Sequence, residues 1–220
     1  PLSFRRPRSP LGIILRVGVA FFALLFLLSG VLSCFYTVSP ESVAVVQRFG
    51  KFTHVAQPGL HFKIPFGVDT ATVVPIRRQL KLEFGFSTPG ATNRDQAGDH
   101  PALERDMVTG DLNAAQVEWI IQYGISDPVG YLFKVRDPAP TLRGFTESVM
   151  REVIGDRTVD EVLTIGRTEI ESDCLVRLKQ LVERIDMGLR VEQVQLKNVN
   201  PPGPVQRSFD EVNRAQQERE

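Results

Sequence analysis

The stretch VGVAFFALLFLLSGVLSCF, residues 17–35, carries no charged side chain, and the organisation of the rest of the chain follows from it. As a helix, this run at about 1.5 Å per residue is roughly 29 Å long, which matches the hydrocarbon core of a bilayer at about 30 Å. Most of its residues are Leu, Val or Phe, which favour the bilayer interior. The sequence therefore predicts a transmembrane helix with outer limits at residues 11–36.

Arginines flank this run on one side only. No Lys or Arg follows it until Arg48, whereas four arginines precede it: Arg5, Arg6, Arg8 and Arg16. By the positive-inside rule, residues 1–10 stay in the cytoplasm and the chain after the span lies on the other side. In a bacterium, this predicts a single-pass inner-membrane protein with a periplasmic domain.

Two other interpretations of the apolar run stay open. A secretory signal peptide would have a shorter apolar core, of about 7 to 15 residues, and a small-x-small cleavage site, which this run lacks. The sequence Val31-Leu32-Ser33-Cys34 has the outline of a lipoprotein processing site, although Leu32 is bulky for its position. The length of the run favours a permanent anchor.

Charge and cysteine content narrow the classes of function. The 26 Lys and Arg residues balance 26 Asp and Glu residues, so no large basic surface for nucleic acid is predicted. Cys34 lies in the apolar run and Cys174 in a predicted helix, so no disulfide framework is expected. The roughly 180 residues after the anchor suffice for one medium domain or two small ones.

The chain after the anchor begins with β-rich segments. Runs at residues 43–52 and 60–65, separated by Pro58-Gly59, predict one or two hairpins. Residues 68–86 are again β-branched and aromatic, with Pro75 suited to a sheet edge or bulge. An antiparallel β-rich region is therefore predicted next to the anchor.

Residues 87–104 separate this region from the clearest strand pattern. They are polar and rich in Gly, Pro, Asn and Asp, so we expect a mobile loop with almost nothing apolar to bury. In residues 116–125, large apolar side chains occupy alternate positions: Val117, Trp119, Ile121, Tyr123 and Ile125. This period of two predicts a strand with Trp119 at the centre of its buried face.

Helical spacing follows. One apolar stripe predicts a helix that Pro138 or Pro140 begins and Gly155 ends: Leu142, Phe145, Val149 and Val153. Thr158 and Glu161 form a capping-box pattern at the start of a second predicted helix. Its stripe extends toward Gly188: Leu163, Ile170, Cys174, Leu178, Leu181 and Ile185. Residues 189–199 are strand-like.

Residues 201–220 predict the start of another helix. Val205, Phe209 and Val212 lie at helical spacing, and from Asn213 the sequence is almost wholly polar, which is typical of a coiled-coil arm. The chain starts with Pro and stops within this predicted helix, so we expect both ends to be cuts in a longer protein.

A series of short landmarks resembles one family. They are FYTV (35–38), VQRFGK (46–51), PGLHFKIP (58–65), MVTGD (107–111), QYGISDP (122–128), YLF (131–133), VIG (153–155), DMGL (186–189) and NPP (200–202). In this order they resemble the stomatin, prohibitin, flotillin and HflK/C family, and within it most closely the HflK-type members. The polar segment 87–104 is longer than the family usually carries there.

The resemblance implies an α+β fold. It consists of an SPFH (band 7) domain with an antiparallel β-rich first half, residues 37–126, and a helix-containing second half, residues 127–200, between the transmembrane helix and the start of a long coiled-coil helix. It also implies self-association into a large membrane-bound ring or cage, together with an HflC-like paralogue. Such an assembly is expected to hold an FtsH-like AAA protease and to restrict its access to membrane substrates.

Residues with catalytic or metal-binding chemistry are scattered. His54, His61 and His100 lack metal-ligand spacing, and the sequence has no Gly-rich phosphate loop or nucleophile elbow. Cys174 lies on an apolar stripe, as a small buried residue does. We expect four carboxylates to lie on a solvated helix face: Asp160, Glu161, Glu169 and Glu171. No catalytic residue, cofactor or metal site is therefore predicted, and the chain is not expected to be an enzyme.

Three functions stay open on the sequence alone. The favoured one is a scaffold that oligomerises around membrane partners, because of the anchor and the polar terminal helix. A membrane-bound hydrolase is the alternative, with a Ser or Asp site that one sequence does not reveal. The third is a lipid-organising protein of the stomatin kind, in which the hairpin at residues 62–66 touches the membrane surface with its aromatic tips.

Overall fold

A computed structural model describes residues 10–90, 95–163 and 166–203. Its contacts divide the chain into two units, Pro1–Pro75 and Ile76–Glu220. The boundary predicted between residues 126 and 127 lies inside the second of these units. The predicted cytoplasmic segment falls outside the described residues up to position 9, and the predicted coiled-coil helix does so from position 204.

The first unit begins with helix α1, Pro10–Ser33. The helix prediction for residues 17–35 is wrong for the last two, because the Cys34 amide turns back to the Val31 carbonyl at 3.2 Å and Phe35 begins a strand. The Cys34 thiol donates to the Gly30 carbonyl at 3.1 Å. Among the residues that the structure describes, no helix combines the length and the hydropathy needed to cross a membrane.

Short antiparallel strands follow α1. Strands β1 to β5 span Phe35–Val38, Val43–Arg48, Lys51–Ala56, Gly59–Phe62 and Asp69–Val74. The hairpin of β2 and β3 confirms the prediction, and β5 pairs with the other edge of β2. Strand β4, by contrast, pairs with β1 directly after the helix. The core between these strands is built from small side chains: Val38, Ala44, Val46 and Ala56.

The second unit has a longer sheet. Strands β6 to β9 span Leu80–Phe84, Asp106–Val108, Ala114–Ile125 and Leu189–Asn200. Strand β8 is central and pairs antiparallel with β6, β7 and β9, with two register shifts against β9. The predicted alternation in β8 is confirmed, and Trp119 is fully buried, with 0% of its surface exposed.

Helices cover this sheet. Helices α2 to α6 span Pro101–Arg105, Pro128–Phe133, Pro138–Gly155, Val159–Leu163 and Arg167–Ile185. Helix α4 confirms the predicted stripe, with Leu142, Val149 and Val153 buried. It packs against α6, which also lies along β9. The strand predicted at residues 189–199 is confirmed as β9.

The second predicted helix is interrupted. The Thr158 amide donates to Glu161 Oε2 at 2.9 Å, which confirms the capping box, but helix α5 ends at Leu163. Gly166, whose amide donates to the Glu161 carbonyl at 2.9 Å, precedes α6. Helix α6 begins after Gly166. Its buried side chains are spaced by four positions: Ile170, Cys174, Leu178 and Val182. The predicted stripe is therefore wrong at its end, where Ile185 is exposed.

Candidate functional site

The first unit places two phenylalanines at tight turns. Phe49-Gly50 is the two-residue loop between β2 and β3, and Phe66-Gly67 precedes β5, with the Val68 amide donating to the Pro65 carbonyl at 3.4 Å. Phe49 and Phe66 have φ of 49° and 63°, and the glycines that follow them have φ of 81° and 77°. Positive φ at both central residues is the pattern of a type I′ turn, which favours Asn-Gly over Phe-Gly.

These turns are strained and lie side by side. A left-handed conformation costs an ordinary L-residue roughly 1–2 kcal/mol. The Phe49 amide donates to the Val68 carbonyl at 2.9 Å, which joins the first turn to the second. The two side chains are 81% and 55% exposed. The fold therefore holds two apolar rings in solvent at one end of a sheet, in a conformation that disfavours them.

An ion pair between the exposed Arg48 and the buried Asp69 lies at the base of both turns. Arg48 Nε and Nη2 donate to the two carboxylate oxygens of Asp69 at 2.9 and 3.2 Å. The Ile64 amide also donates to Asp69 Oδ2, at 3.1 Å. The hydrogen bond from Arg48, followed by the one from Ile64, lowers the pKa of the Asp69 carboxyl below its ordinary value. Arg48 directly precedes Phe49, so this pair fixes where its turn begins.

The second turn also contacts helix α1. The Phe66 ring stacks on Phe26 with 4.4 Å between centroids and 14° between planes. A Cβ atom on Gly30 would lie 2.5 Å from Phe66 Cζ, so only glycine leaves room for the ring on the helix. Phe35 and Phe62, at paired positions of β1 and β4, meet edge to face at 5.9 Å.

We define the aromatic surface as Phe35, Phe49, Leu60, Phe62 and Phe66, all of which are exposed. Arg48 and Lys51 flank Phe49, so cations accompany the apolar rings. Aromatic rings bordered by cations are typical of the interface between a bilayer and water. The sequence identified Phe62 and Phe66 but missed Phe49; the signal for it was the Phe-Gly dipeptide between two strand patterns.

A cluster in the second unit anchors the segment that the sequence predicted to be a mobile loop. Arg143, on α4, donates through Nη1 to Glu104 Oε1 and through Nη2 to the Gln96 carbonyl, both at 2.9 Å. The Glu83 carboxylate accepts from Gln96 Nε2 at 2.7 Å and from the Thr88 amide at 2.9 Å. Residues 95–104 are therefore held in place by buried polar groups. The prediction of a mobile loop is wrong there, because it counted only apolar side chains as groups that can be buried.

The same arginine lies on an aromatic stack. Its guanidinium carbon is 4.6 Å from the centroid of Phe84, and Phe84 stacks on Trp119 with 4.6 Å between centroids. Phe84 and Trp119 are directly paired in β6 and β8. Arg143, Phe84 and Trp119 therefore form one continuous stack. The hydrogen bonds of Arg143 described above stabilise the fold.

The candidate chemical residues are not assembled into a site. His54 lies in β3, His61 in β4 and His100 just before α2. Within the described ranges, no group of three or more His, Cys, Asp or Glu side chains could hold a metal ion. Cys174 is buried with its sulfur 3.6 Å from that of Met150, and burial raises the pKa of its thiol to about 12. Its thiolate is therefore disfavoured.

Three of the four carboxylates expected on a solvated helix face make specific contacts. Glu161 caps α5, and the hydrogen bonds from Thr158 lower the pKa of its carboxyl. Glu171 accepts from the Leu196 amide at 2.8 Å, which ties α6 to β9. Glu169 pairs with Arg157 at 3.1 Å. The expectation of a solvated face is therefore confirmed for Asp160, Glu161 and Glu169, which are exposed, and is wrong for Glu171, which is half-buried.

The fold is that of a known class. The family model described as SPFH domain / Band 7 family matches residues 36–220, and the chain belongs to this family. This confirms the family that the landmarks indicated and the α+β class.

Individual relatives share the HflK name. Protein HflK of Treponema pallidum (strain Nichols) is 37% identical over 191 residues, which cover 86% of this chain and 58% of that protein. Protein HflK of Borreliella burgdorferi is 34% identical over 192 residues, covering 86% and 60%. Modulator of FtsH protease HflK of Escherichia coli (strain K12) is 33% identical over 211 residues, covering 96% and 45%. The chain thus spans about half the length of these curated relatives.

Proposed function

We propose that this chain is part of a membrane-anchored oligomeric scaffold that modulates the access of an FtsH-like AAA protease to membrane substrates. The observation that carries the proposal is the similarity, over 96% of the chain, to a protein named Modulator of FtsH protease HflK. In this scaffold the chain acts by binding and performs no reaction itself. Nothing in the described residues favours the hydrolase alternative.

Membrane attachment is the first part of the proposal. The uncharged run at residues 17–35 and the four arginines before it support a span at residues 11–36, with a cytoplasmic N-terminus in the bacterial inner membrane and a periplasmic domain. The aromatic surface supports a second contact. Phe35, the last residue of the apolar run, pairs with Phe62, so two exposed rings lie where the chain would leave the bilayer.

Assembly is the second part. The family resemblance supports self-association into a ring or cage together with an HflC-like paralogue. Tethering copies to one bilayer raises their effective concentration, so weak lateral contacts suffice for assembly. The polar helix predicted from residue 205 would then find partners in neighbouring subunits.

Purification of the full-length protein from native membranes tests the scaffold. We expect a large ring or cage by electron microscopy, with an HflC-like subunit and an FtsH-like protease in the same particle. Deleting the protein should change the degradation rate of a membrane substrate of the protease and leave that of a soluble substrate unaltered. A small particle without the protease would contradict the proposal.

Topology has its own test. A phosphatase reporter fused after Gly85 is expected to be active, since that enzyme requires export. The matched control is the same reporter fused before Pro10, where it should be inactive. Activity of a cytoplasmic-type reporter after Gly85 would contradict the predicted orientation.

The aromatic surface also favours a second candidate, a lipid-organising protein of the stomatin kind. Both candidates require membrane contact, but only the scaffold requires the protease. A lipid organiser would alter the distribution of membrane lipids or proteins equally in cells with and without the FtsH-like protease. The scaffold predicts that its effect disappears when the protease is absent.

A further inference from the structure

The turn between β7 and β8 presents an apolar residue on a fixed frame. The Asp111 carboxylate accepts from Thr109 Oγ1 at 2.5 Å, from Asn113 Nδ2 at 2.8 Å and from the Val159 amide of α5 at 3.2 Å. The Thr109 amide also donates to the Asn113 carbonyl at 2.9 Å. These bonds close the turn on itself and tie it to a helix.

The turn is also fixed through its glycine. The Gly110 amide donates to the Arg157 carbonyl at 2.7 Å. A Cβ atom at Gly110 would lie 2.7 Å from the Gly155 carbonyl oxygen, so the backbone approaches the end of α4 as closely as only glycine allows. The position of the turn is therefore determined by the domain beneath it.

This frame holds Leu112 outward. Leu112 is 87% exposed and has φ of 62°, a left-handed conformation that is unfavourable for leucine. Val108 and Ala114 are a directly opposed pair at the base of the turn and are exposed as well. We define Val108, Leu112 and Ala114 as the apolar tip. Backbone strain of this kind persists where the surrounding structure imposes it and clusters at functional sites, so the apolar tip is a candidate contact site.

The described chain ends beside this tip. Asn200, the last residue of β9, has Gln116 as its Cα partner. Because β9 runs antiparallel to β8, the chain leaves the sheet in the direction of Ala114 and the turn. Leu112 lies four residues before Gln116 and Val205 five residues after Asn200, so at about 3.3 Å per residue each lies within roughly 17 Å of that pair.

The next residues of the sequence are suited to the tip. Val205, Phe209 and Val212 are spaced by four and three positions, which predicts one apolar face on a helix. Most of the residues around them are polar or charged, so this face is the part of the segment that would gain stability from burial. The apolar tip would offer it contact within reach of the chain.

We propose that the face formed by Val205, Phe209 and Val212 docks on the apolar tip of the same chain. This contact with the β7–β8 hairpin would set the direction in which the C-terminal segment leaves the domain. This inference does not rest on the proposed function, since it concerns contacts within one chain. It assigns a role to Leu112 that folding alone does not require.

Crosslinking in the full-length membrane-bound protein tests the docking. Leu112→Cys and Phe209→Cys are combined and treated with a short bismaleimide; both native cysteines are buried and should stay unmodified. The control pairs Phe209→Cys with Val176→Cys, an exposed apolar position on α6. Because α6 meets the end of β9 through its first turns, at Arg167 and Glu171, Val176 lies toward the opposite end of β9.

The result expected is an intramolecular crosslink for the first pair, detected by mass spectrometry in the monomer band, and none for the control. A crosslink found only in dimers would overturn the proposal, because the segment would then dock on a neighbouring copy. The absence of any crosslink at Phe209 in folded protein would overturn it equally.

A second measurement does not depend on the length or orientation of the crosslinker. Leu112→Asp should increase the rate of tryptic cleavage after Arg207 by about tenfold, since removing one buried leucine shifts the docking equilibrium by at least that factor. Val176→Asp is the matched control and should leave the rate unchanged. Equal rates in parent and Leu112→Asp would overturn the proposal.

Discussion

The two units use their aromatic residues in opposite ways. In the second unit Phe84, Trp119 and Tyr123 are buried in the core, and Phe84 and Trp119 stack on each other. Among residues 35–75, all of which the structure describes, every phenylalanine is exposed, and the core consists of small side chains such as Ala44 and Val46. Phe84, Trp119 and Tyr123 thus form part of the core of the second unit, although Phe133 there is exposed, whereas the phenylalanines of residues 35–75 remain on the surface.

This difference shows which rings are available for binding. Burying a large aromatic side chain is among the strongest stabilising terms in a small domain. A unit that leaves its rings outside, two of them at strained turns, gains little such stability from them. A partner would explain their positions, and the membrane attachment proposed above would supply one.

The largest predicted effect contrasts one ring from each unit. Trp119→Ala should lower the free energy of unfolding by roughly 3 to 5 kcal/mol, because it leaves a cavity beside Phe84 and loses transfer energy. Phe62→Ala, in the first unit, should lower it by about 1 kcal/mol or less, because this exposed ring loses only its edge-to-face contact with Phe35. Urea denaturation followed by circular dichroism measures both. Equal losses in the two variants would remove the contrast between the units.

A second large effect is predicted at Arg143. Arg143→Met should destabilise the second unit by roughly 3 kcal/mol, because the nearly buried Glu104 carboxylate loses its cation. The double variant Arg143→Met with Glu104→Gln should recover part of this loss. Limited proteolysis should also show faster cleavage within residues 95–105 in the single variant. Unchanged proteolysis would mean that Arg143 does not anchor the segment.

The polar composition of the cluster around Arg143 explains why the sequence did not reveal it. The spacing of apolar side chains correctly predicted α4, β8 and the burial of Trp119. Glu83, Gln96 and Glu104 carry no apolar signal, although the structure buries all three. The pairing of β1 with β4 was missed for a different reason: it joins residues 35–38 to 59–62 without a short turn between them.

The aromatic surface was partly predictable. Phe62 and Phe66 were identified as the aromatic tips of a predicted hairpin, whereas Phe49 was missed. The Phe-Gly dipeptide was a turn signal, but phenylalanine is unusual at the first position of such a turn, and the positive φ of Phe49 shows that its ring lies there. The break at Gly166 had a visible signal in the glycine itself, but the continuous apolar stripe favoured one long helix.

A smaller effect of opposite sign is predicted at Phe49. Phe49→Asn should stabilise the first unit by about 1 kcal/mol, because asparagine tolerates the left-handed conformation that phenylalanine resists. Hydrogen exchange should show about fivefold greater protection of the β2 and β3 amides. Phe66→Asn is the comparison and should gain less, since it loses the stacking on Phe26. Destabilisation by Phe49→Asn would show that the ring contributes to folding after all.

Acid should weaken the support of the two turns. The folded-state pKa of Asp69 is lowered, so the stability that its ion pair contributes is present above the unfolded pKa of about 3.9 and is lost as the pH falls through the folded pKa. Asp69→Asn lacks this contribution at every pH. The difference in Tm between parent and variant should therefore be constant near neutral pH and shrink in acid. A difference that stays constant into strong acid would contradict the role of the pair.

The smallest effect concerns thiol reactivity. Cys174 should react negligibly with a maleimide at pH 8 in the folded protein, because burial both shields the thiol and raises its pKa to about 12. Unfolding in urea should restore normal labelling. Rapid labelling of the native protein would reopen the interpretation of Cys174 as a nucleophile.

The central claim is that the aromatic surface of the first unit contacts lipid, and fluorescence quenching tests it most directly. The chain has a single tryptophan, and no hydrogen-bond partner for its indole nitrogen lies within the described residues, so Trp119→Phe removes no bond and provides a dark background. Into it are introduced Phe49→Trp, Phe66→Trp or, as an exposed control in the second unit, Val176→Trp. In vesicles containing brominated lipids, we predict strong quenching for the first two and none for the control. Equal fluorescence of all three variants in brominated and ordinary vesicles would contradict the claim.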